Sequence, residues 1–224
     1  MKCLLTPLLA TTLLLLTGTS ALGQVSLAAT GGVNIASMDF STDDDFVPDF
    51  QSVTRLSIGL AANIPASGSW GIQLGGSYSQ KGGRYDFAQP DASAEARIET
   101  DYVELTVLAR AQFPLSGDRV SAHLLAGPAL ALESSCQLTG KATGPDGNTF
   151  EINEGCDDAT GLYRSNYDLG LAGGGGLEVK LLDALGMSFG VLYTYGLVDF
   201  DTSDSVSMKQ RALSLRAGLV YSIG

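Results

Sequence analysis

The chain has 224 residues, with 13 Lys and Arg against 24 Asp and Glu, and a formal charge of −11. This acidic balance argues against nucleic acid as a partner, because nucleic-acid binding needs a basic face. A hydrophobic content of 45% argues against disorder. One His and three Cys leave few ligands for a His/Cys metal centre, so we expect no metal and no cofactor.

Residues 1–23 are predicted to form a secretory signal peptide. Lys2 precedes an apolar stretch at 4–16, and small residues, Ala21 and Gly23, stand before a cleavage point at Gln24. The alternative is an N-terminal membrane anchor, which would need about 20 uninterrupted apolar residues. The predicted mature domain is therefore 24–224, in a compartment where disulfides persist.

Eight segments of the mature chain alternate apolar with polar or small residues, the period-two pattern of β-strands. In chain order they cover 25–35, 55–63, 70–81, 103–113, 120–133, 167–181, 187–197 and 213–223. The links after the second, fourth and sixth segments are short, whereas the other links are long and acidic. This alternation predicts an all-β fold, an eight-stranded antiparallel up-and-down transmembrane β-barrel with short periplasmic turns and long extracellular loops.

The charged residues of these segments lie opposite the apolar faces. Because both signs occur and an eight-stranded barrel has little room inside, we expect the charges to pair within a closed lumen while the apolar faces meet lipid. The predicted lumen charges are Arg55, Lys81, Glu104, Arg110, Asp168, Glu178, Lys180 and Arg216. A soluble barrel would place the same charges outward.

Aromatic residues near both ends of the apolar faces support a membrane barrel, since two aromatic bands are expected at the two interfaces. Those near the short turns are Trp70, Phe113, Phe189 and Tyr221, and those near the long loops are Tyr78, Tyr167 and Tyr195.

The sequence resembles the PorT-like group of outer-membrane β-barrel domains. The resemblance is carried by VEL at 103–105, LLAGPAL at 124–130, YDLGL at 167–171, the Gly run at 173–176, YTYGL at 193–197 and the final strand. It covers 24–224 and implies an integral outer-membrane protein. The ending at 218–223 is similar to the terminal signal read by the barrel-assembly machinery, although the chain ends in Ile223 and Gly224 rather than Phe.

Candidate catalytic chemistry is sparse, and we expect no catalytic residue. Ser121 and His123 share a strand face and could form an esterase-type set with Glu104, but both should point into a crowded lumen. The Gly run at 173–176 lacks the Lys of a phosphate loop and indicates close backbone approach or a bulge. The acidic clusters at 43–45 and 199–204 lack EF-hand spacing and are interpreted as solvated loops.

The predicted loop at 134–164 carries both cysteines of the mature chain, Cys136 and Cys156. Both are expected outside the strands and beyond the membrane, where thiols oxidise, which predicts a disulfide between them. Two free thiols or a metal site are the alternatives, and a metal site would need further ligands nearby.

These observations favour a non-enzymatic outer-membrane barrel whose long acidic loops have structural or interaction roles. Its expected partners are outer-membrane lipid, the barrel-assembly machinery during biogenesis, and an extracellular or secretion-system protein. The alternatives are an outer-membrane enzyme of the esterase or deacylase type, and a soluble secreted barrel that binds a small apolar ligand.

Overall fold

The computed structural model describes residues 24–42, 50–89, 92–117, 119–157, 165–199 and 206–223. The predicted signal peptide, 1–23, lies outside these residues, as do Asp43, Asp44 and Asp45 of the first acidic cluster and Asp201 and Asp204 of the second. No helix that could cross a membrane occurs in the described part of the chain.

Ten strands account for most of the described residues. They are β1 (Val25–Thr42), β2 (Phe50–Gln51), β3 (Val53–Ser67), β4 (Trp70–Gln89), β5 (Ala92–Ser116), β6 (Val120–Thr143), β7 (Thr149–Gly155), β8 (Tyr167–Lys180), β9 (Leu185–Gly196) and β10 (Val206–Ile223).

Eight of these strands close a ring through antiparallel pairing. The order is β4-β3-β1-β10-β9-β8-β6-β5, and β4 pairs with β5 to complete the circle. The first and last barrel strands pair from Val25 opposite Ile223 to Thr42 opposite Val206. The predicted eight-stranded up-and-down barrel is confirmed, and full closure leaves no unpaired edge in the ring.

The short connections lie at one end of the barrel. Gly68 and Gly117 occupy positive φ, 58° and 54°, in the tight turns that join β3 to β4 and β5 to β6. Both ends of the barrel chain, Val25 and Ile223, meet at this same end. We call it the short-turn end, and the opposite end the long-hairpin end.

Two of the predicted long loops are largely strand, which corrects the expected boundaries. β4 and β5 pair continuously from Trp70 opposite Ala111 to Gln89 opposite Ala92. β6 runs on to Thr143 and pairs with β7, so Cys136 lies inside a strand rather than outside the strand pattern. The physical reason is that a pair of barrel strands can extend into water as a hairpin, keeping its main-chain groups hydrogen-bonded.

The outer surface of the ring is apolar. Leu60 is 70% exposed and Trp70 is 62% exposed, and on β5 the outward residues Val103, Leu105 and Val107 are exposed as well. The apolar part of β5, residues 103–113, matches the roughly 9–11 residues that a tilted strand needs to cross a bilayer. This is the face arrangement of a membrane barrel, opposite to that of a soluble one.

Candidate functional site

A layer of polar residues fills the middle of the barrel. Asn34 on β1 donates from Nδ2 to Ser79 Oγ on β4 at 2.8 Å and accepts from Ser214 Oγ on β10 at 2.5 Å. Beside it, Lys81 Nζ lies 2.5 Å from Glu104 Oε1, with the two residues only 4% and 2% exposed. We call the residues that make these contacts the polar layer, together with Tyr102 and Gln210.

The polar layer connects opposite walls of the barrel. Gln210 Nε2 on β10 donates to the Tyr102 hydroxyl on β5 at 2.8 Å. Because β10 and β5 are four strands apart in either direction around the ring, this hydrogen bond crosses the full lumen. Lys81 Nζ lies 5.4 Å from the centre of the Tyr102 ring, a cation–π distance that links the ion pair to the same tyrosine.

An apolar cluster caps the polar layer at the long-hairpin end. It contains Met38 of β1, Ile98 of β5, Met208 of β10 and Cys156, with Cys136 packed against them. The structure joins Cys136 and Cys156 in a disulfide whose Cα atoms are 5.4 Å apart. Because Cys136 belongs to β6 and Cys156 directly follows β7, the disulfide closes the base of the β6–β7 hairpin beside this apolar cluster.

The structure places the remaining predicted lumen charges at different heights. Arg110 Nη2 contacts Glu178 Oε1 at 2.8 Å in the short-turn half, where both residues line internal cavities. Arg216 Nη2 donates to Ser214 Oγ at 3.4 Å. Asp168 is buried near the long-hairpin end and accepts from the Val198 backbone N–H at 3.3 Å.

The other two predicted lumen charges, Arg55 and Lys180, contact acidic residues outside the polar layer. Arg55 Nη1 contacts Glu99 Oε1 at 2.6 Å, and Asp101 is 4.0 Å away, so its partners are acidic residues of β5. Lys180 lies at the short-turn end, where its Nζ is 3.5 Å from Asp183 Oδ1 in the β8–β9 turn.

The candidate set of Ser121, His123 and Glu104 is not assembled into a catalytic arrangement. Ser121 Oγ accepts from Gln112 Nε2 at 2.8 Å, and Glu104 is occupied by Lys81. His123 is 7% exposed, and its Nδ1 has no hydrogen-bond partner among the described residues. No group of three or more potential metal ligands occurs within the described ranges.

Outside the apolar band, β4, β5, β6 and β7 continue as a protruding sheet. Its outward face is charged, with Arg84 bridging Asp86 at 2.9 Å and Glu95 at 3.0 Å, and Lys141 contacting Glu151 at 2.9 Å. The hydrogen bond to Asp86 raises the pKa of Arg84.

The turn at the tip of the protruding sheet is stabilised locally. Gly147 has a φ of 75°, and Asp146 Oδ1 accepts from the Asn148 backbone N–H at 3.1 Å. Hydrogen bonds from the Asn148 backbone and side chain lower the pKa of Asp146.

Sequence reasoning missed Tyr102 and Gln210, whose hydrogen bond joins opposite walls of the barrel. Tyr102 directly precedes the predicted fourth strand, and Gln210 precedes the predicted eighth, so neither was assigned to the interior. The sequence pattern that could have revealed Tyr102 lies in 92–101. There, small or apolar residues alternate with charged ones, and the charged positions continue the outward-facing parity of the strand that follows: Glu95, Arg97, Glu99 and Asp101. The outer face changes from apolar to charged where the strand leaves the apolar band.

The family model described as "Outer membrane protein beta-barrel domain" matches residues 19–219 of this chain. The chain belongs to this family. Members of the outer membrane protein beta-barrel domain family reside in the bacterial outer membrane, which places this protein there. No curated protein matches the chain.

Solved structures of outer-membrane barrels are similar at low sequence identity. Neisserial surface protein A is 14% identical, with 89% of this chain and 97% of that chain covered and a TM-score of 0.43. OprG from Pseudomonas aeruginosa is 14% identical, with coverages of 88% and 95% and a TM-score of 0.45. The outer membrane protease OmpT from Escherichia coli is 9% identical, with coverages of 92% and 100% and a TM-score of 0.41.

Proposed function

We propose that this protein is a non-enzymatic, non-conducting barrel that holds its protruding sheet outside the cell for contact with another protein. The observation that carries the closed lumen is the hydrogen bond between Tyr102 and Gln210, which joins strands on opposite sides of the ring. This wall-to-wall contact, with the apolar cluster above it, supports a lumen without a continuous column of water.

The interaction role rests on the rigidity and exposure of the protruding sheet. Within this sheet, β5 pairs with β6 as far as Ser93 opposite Thr143, and β6 pairs with β7 as far as Gln137 opposite Gly155. Phe150 on β7 is 66% exposed, so the hairpin presents a large apolar side chain to solvent. An ordered surface that loses little entropy on binding is suited to protein contact.

Three finer assignments belong to the same proposal. The motifs at 124–130 and 167–171 support the PorT-like group, from which we transfer the fold and location but not a role in secretion. Residues 1–23 act as a cleaved signal peptide, and the final strand is read by the barrel-assembly machinery. The short-turn end then faces the periplasm and the protruding sheet faces outward.

Planar-bilayer recording tests the closed lumen. The purified protein should give no stable conductance steps, whereas Tyr102→Ala combined with Leu108→Ala should produce them, because both side chains are buried in the interior. Tyr221→Ala, an exposed outward aromatic, is the matched control and should stay silent. Large, stable conductance from the unaltered monomer would contradict the proposal.

Epitope insertion tests the orientation and exposure of the protruding sheet. A tag placed between Asp146 and Gly147 should be labelled by antibody on intact cells, and a tag in the 181–184 turn should be labelled only after permeabilisation. The reverse pattern would show that the sheet faces the periplasm. A panel of esterase and protease substrates, with Ser121→Ala as the comparison, would detect an enzymatic role.

A further inference from the structure

The short-turn half of the barrel contains a small inner cavity, and a larger cavity lies between it and the short turns. We call the larger cavity the mouth. This inner cavity, about 70 Å³, is lined by Arg110, His123, Glu178 and Arg216 among others. Two larger cavities, about 380 Å³ and 200 Å³, lie among the short turns. Arg110 lines both the inner and the 380 Å³ cavity, and Glu178 lines both the inner and the 200 Å³ cavity, so their ion pair separates the inner cavity from the mouth.

Two nitrogen atoms around the inner cavity lack hydrogen-bond partners among the described residues. They are Nδ1 of His123, a residue that is 93% buried, and Nε of Arg216. Buried polar groups in folded proteins almost always have a partner, whether protein, water or ligand. Two such groups without partners beside one cavity indicate that a polar molecule occupies the cavity.

The charge balance specifies which kind of group this is. Within the described ranges, Lys81 is paired with Glu104 and Arg110 with Glu178, but Arg216 makes no ion pair. Glu104 acts electrostatically on Arg216, although its direct contact is with Lys81. A guanidinium at membrane depth without a contacting anion is costly, so an anionic ligand is favoured over a neutral one.

We propose that the inner cavity binds a carboxylate group that enters from the short-turn end. A cavity of about 70 Å³ exceeds the roughly 10–15 Å³ that a single water requires, so it has room for a small polar group such as a carboxylate, which presents two oxygens. Nε and one Nη of a guanidinium form the planar fork that binds a carboxylate bidentately, and Nε of Arg216 is free. His123 supplies a second polar contact, and the remainder of a longer carboxylate would extend into the 380 Å³ mouth.

The direct test is a titration of the folded, ¹⁵N-arginine-labelled protein in detergent micelles with sodium formate, replacing chloride at constant ionic strength. The Nε–H resonance of Arg216, assigned by its absence from Arg216→Lys, should shift in a saturable manner. Arg55 is the internal control, because its Nε also lacks a hydrogen-bond partner but its guanidinium is paired with Glu99 outside the inner cavity. Its resonance should not shift.

Variants separate the site from a general salt effect. Arg216→Lys retains the charge but loses the fork, and it should weaken formate-dependent protection against thermal unfolding by at least about tenfold in apparent affinity. Lys141→Arg, on the exposed protruding sheet, should leave it unchanged. If Arg216→Lys does not fold, the Arg216 resonance is assigned by elimination, from single Arg→Lys variants of the other arginines, and the titration of the unaltered protein then decides.

Three results would overturn the proposal. A linear, non-saturating shift would mean that water alone fills the cavity. Equal shifts of Arg55 and Arg216 would indicate non-specific ion binding. Inorganic phosphate that binds as tightly as formate would contradict the size argument for a carboxylate.

Discussion

At the scale of single residues, the barrel interior contains buried charges, and an oppositely charged partner lies in contact with them. Lys81 and Glu104 are joined at 2.5 Å and almost fully buried. Such a pair adds little net stability relative to an apolar pair, but removing one partner leaves an uncompensated charge.

We therefore expect Lys81→Met to destabilise the barrel by about 3–5 kcal/mol, and the double variant with Glu104→Leu to recover most of this loss. Equilibrium unfolding in urea from lipid vesicles measures both. Lys141→Met is the matched control, because Lys141 and Glu151 are 59% and 68% exposed at their side chains and an exposed pair contributes about 0–1 kcal/mol. Equal losses for Lys81→Met and Lys141→Met would show that water reaches the interior pair.

Gly174 and Gly173 provide a second comparison between neighbouring residues. A Cβ at Gly174 would lie 2.1 Å from the Val191 carbonyl oxygen, whereas a Cβ at Gly173 would have its nearest neighbour at 3.8 Å. The Gly run therefore reflects close backbone approach, and the pairing of β8 with both neighbours is continuous, without a bulge.

Gly174→Ala should cost about 1–3 kcal/mol of unfolding free energy, since the strands must move apart, and Gly173→Ala should be close to neutral. The urea midpoint in vesicles distinguishes the two variants. A neutral Gly174→Ala would mean that β8 and β9 adjust freely at this height.

At the scale of elements, the Cys136–Cys156 disulfide closes the base of the β6–β7 hairpin, where β6 leaves the barrel. Cys156 is 1% exposed and packs with Met38, Ile98 and Met208, so the disulfide belongs to the apolar cap as well as to the hairpin. The two cysteines are 20 positions apart. In the entropy model, a cross-link that closes a loop of this size stabilises the folded protein by about 3 kcal/mol, because it restricts the unfolded chain.

Thiol labelling of the denatured, unreduced mature protein should find no reactive thiol at either cysteine. The double variant Cys136→Ser and Cys156→Ser should make the turn at 144–148 much more sensitive to protease, while the barrel keeps its heat-modifiable gel mobility. Two reactive thiols per chain would reject the disulfide. Protease resistance equal to that of the unaltered protein would show that strand pairing alone orders the hairpin.

At the scale of the whole molecule, the outward face of β5 contains an apolar segment and a charged one in the same parity. Val107 lies near the middle of the apolar band, and Ser93 lies on the protruding part of the same strand. The two positions differ in whether lipid or water surrounds them.

Val107→Arg should therefore cost about 2–4 kcal/mol, the cost of a cation at the bilayer midplane, and Ser93→Arg should change stability by less than about 0.5 kcal/mol. Reversible unfolding from vesicles provides the measurement. Similar values for the two variants would mean that the apolar face is not immersed in lipid to the depth that the band indicates.

The sequence by itself determined the class of fold, the eight strands and the face that each strand turns outward. It could do so because the side-chain period of two and the requirement for paired backbone groups in lipid are local constraints. It also pointed to the charges opposite the apolar faces, but not to their partners: Arg55 contacts Glu99, and Lys180 contacts Asp183 in the β8–β9 turn.

Only the tertiary structure decided which strands face each other across the ring and at what height each side chain lies. The contact of Tyr102 with Gln210 joins residues 108 positions apart, and it depends on the stagger of all the strands between them. The same stagger brings Arg216 and His123 to the lining of one cavity, where small residues such as Gly190 and Ser188 leave space. Local alternation carries no information on this stagger, so neither the crossing hydrogen bond nor the cavity could be predicted from the sequence.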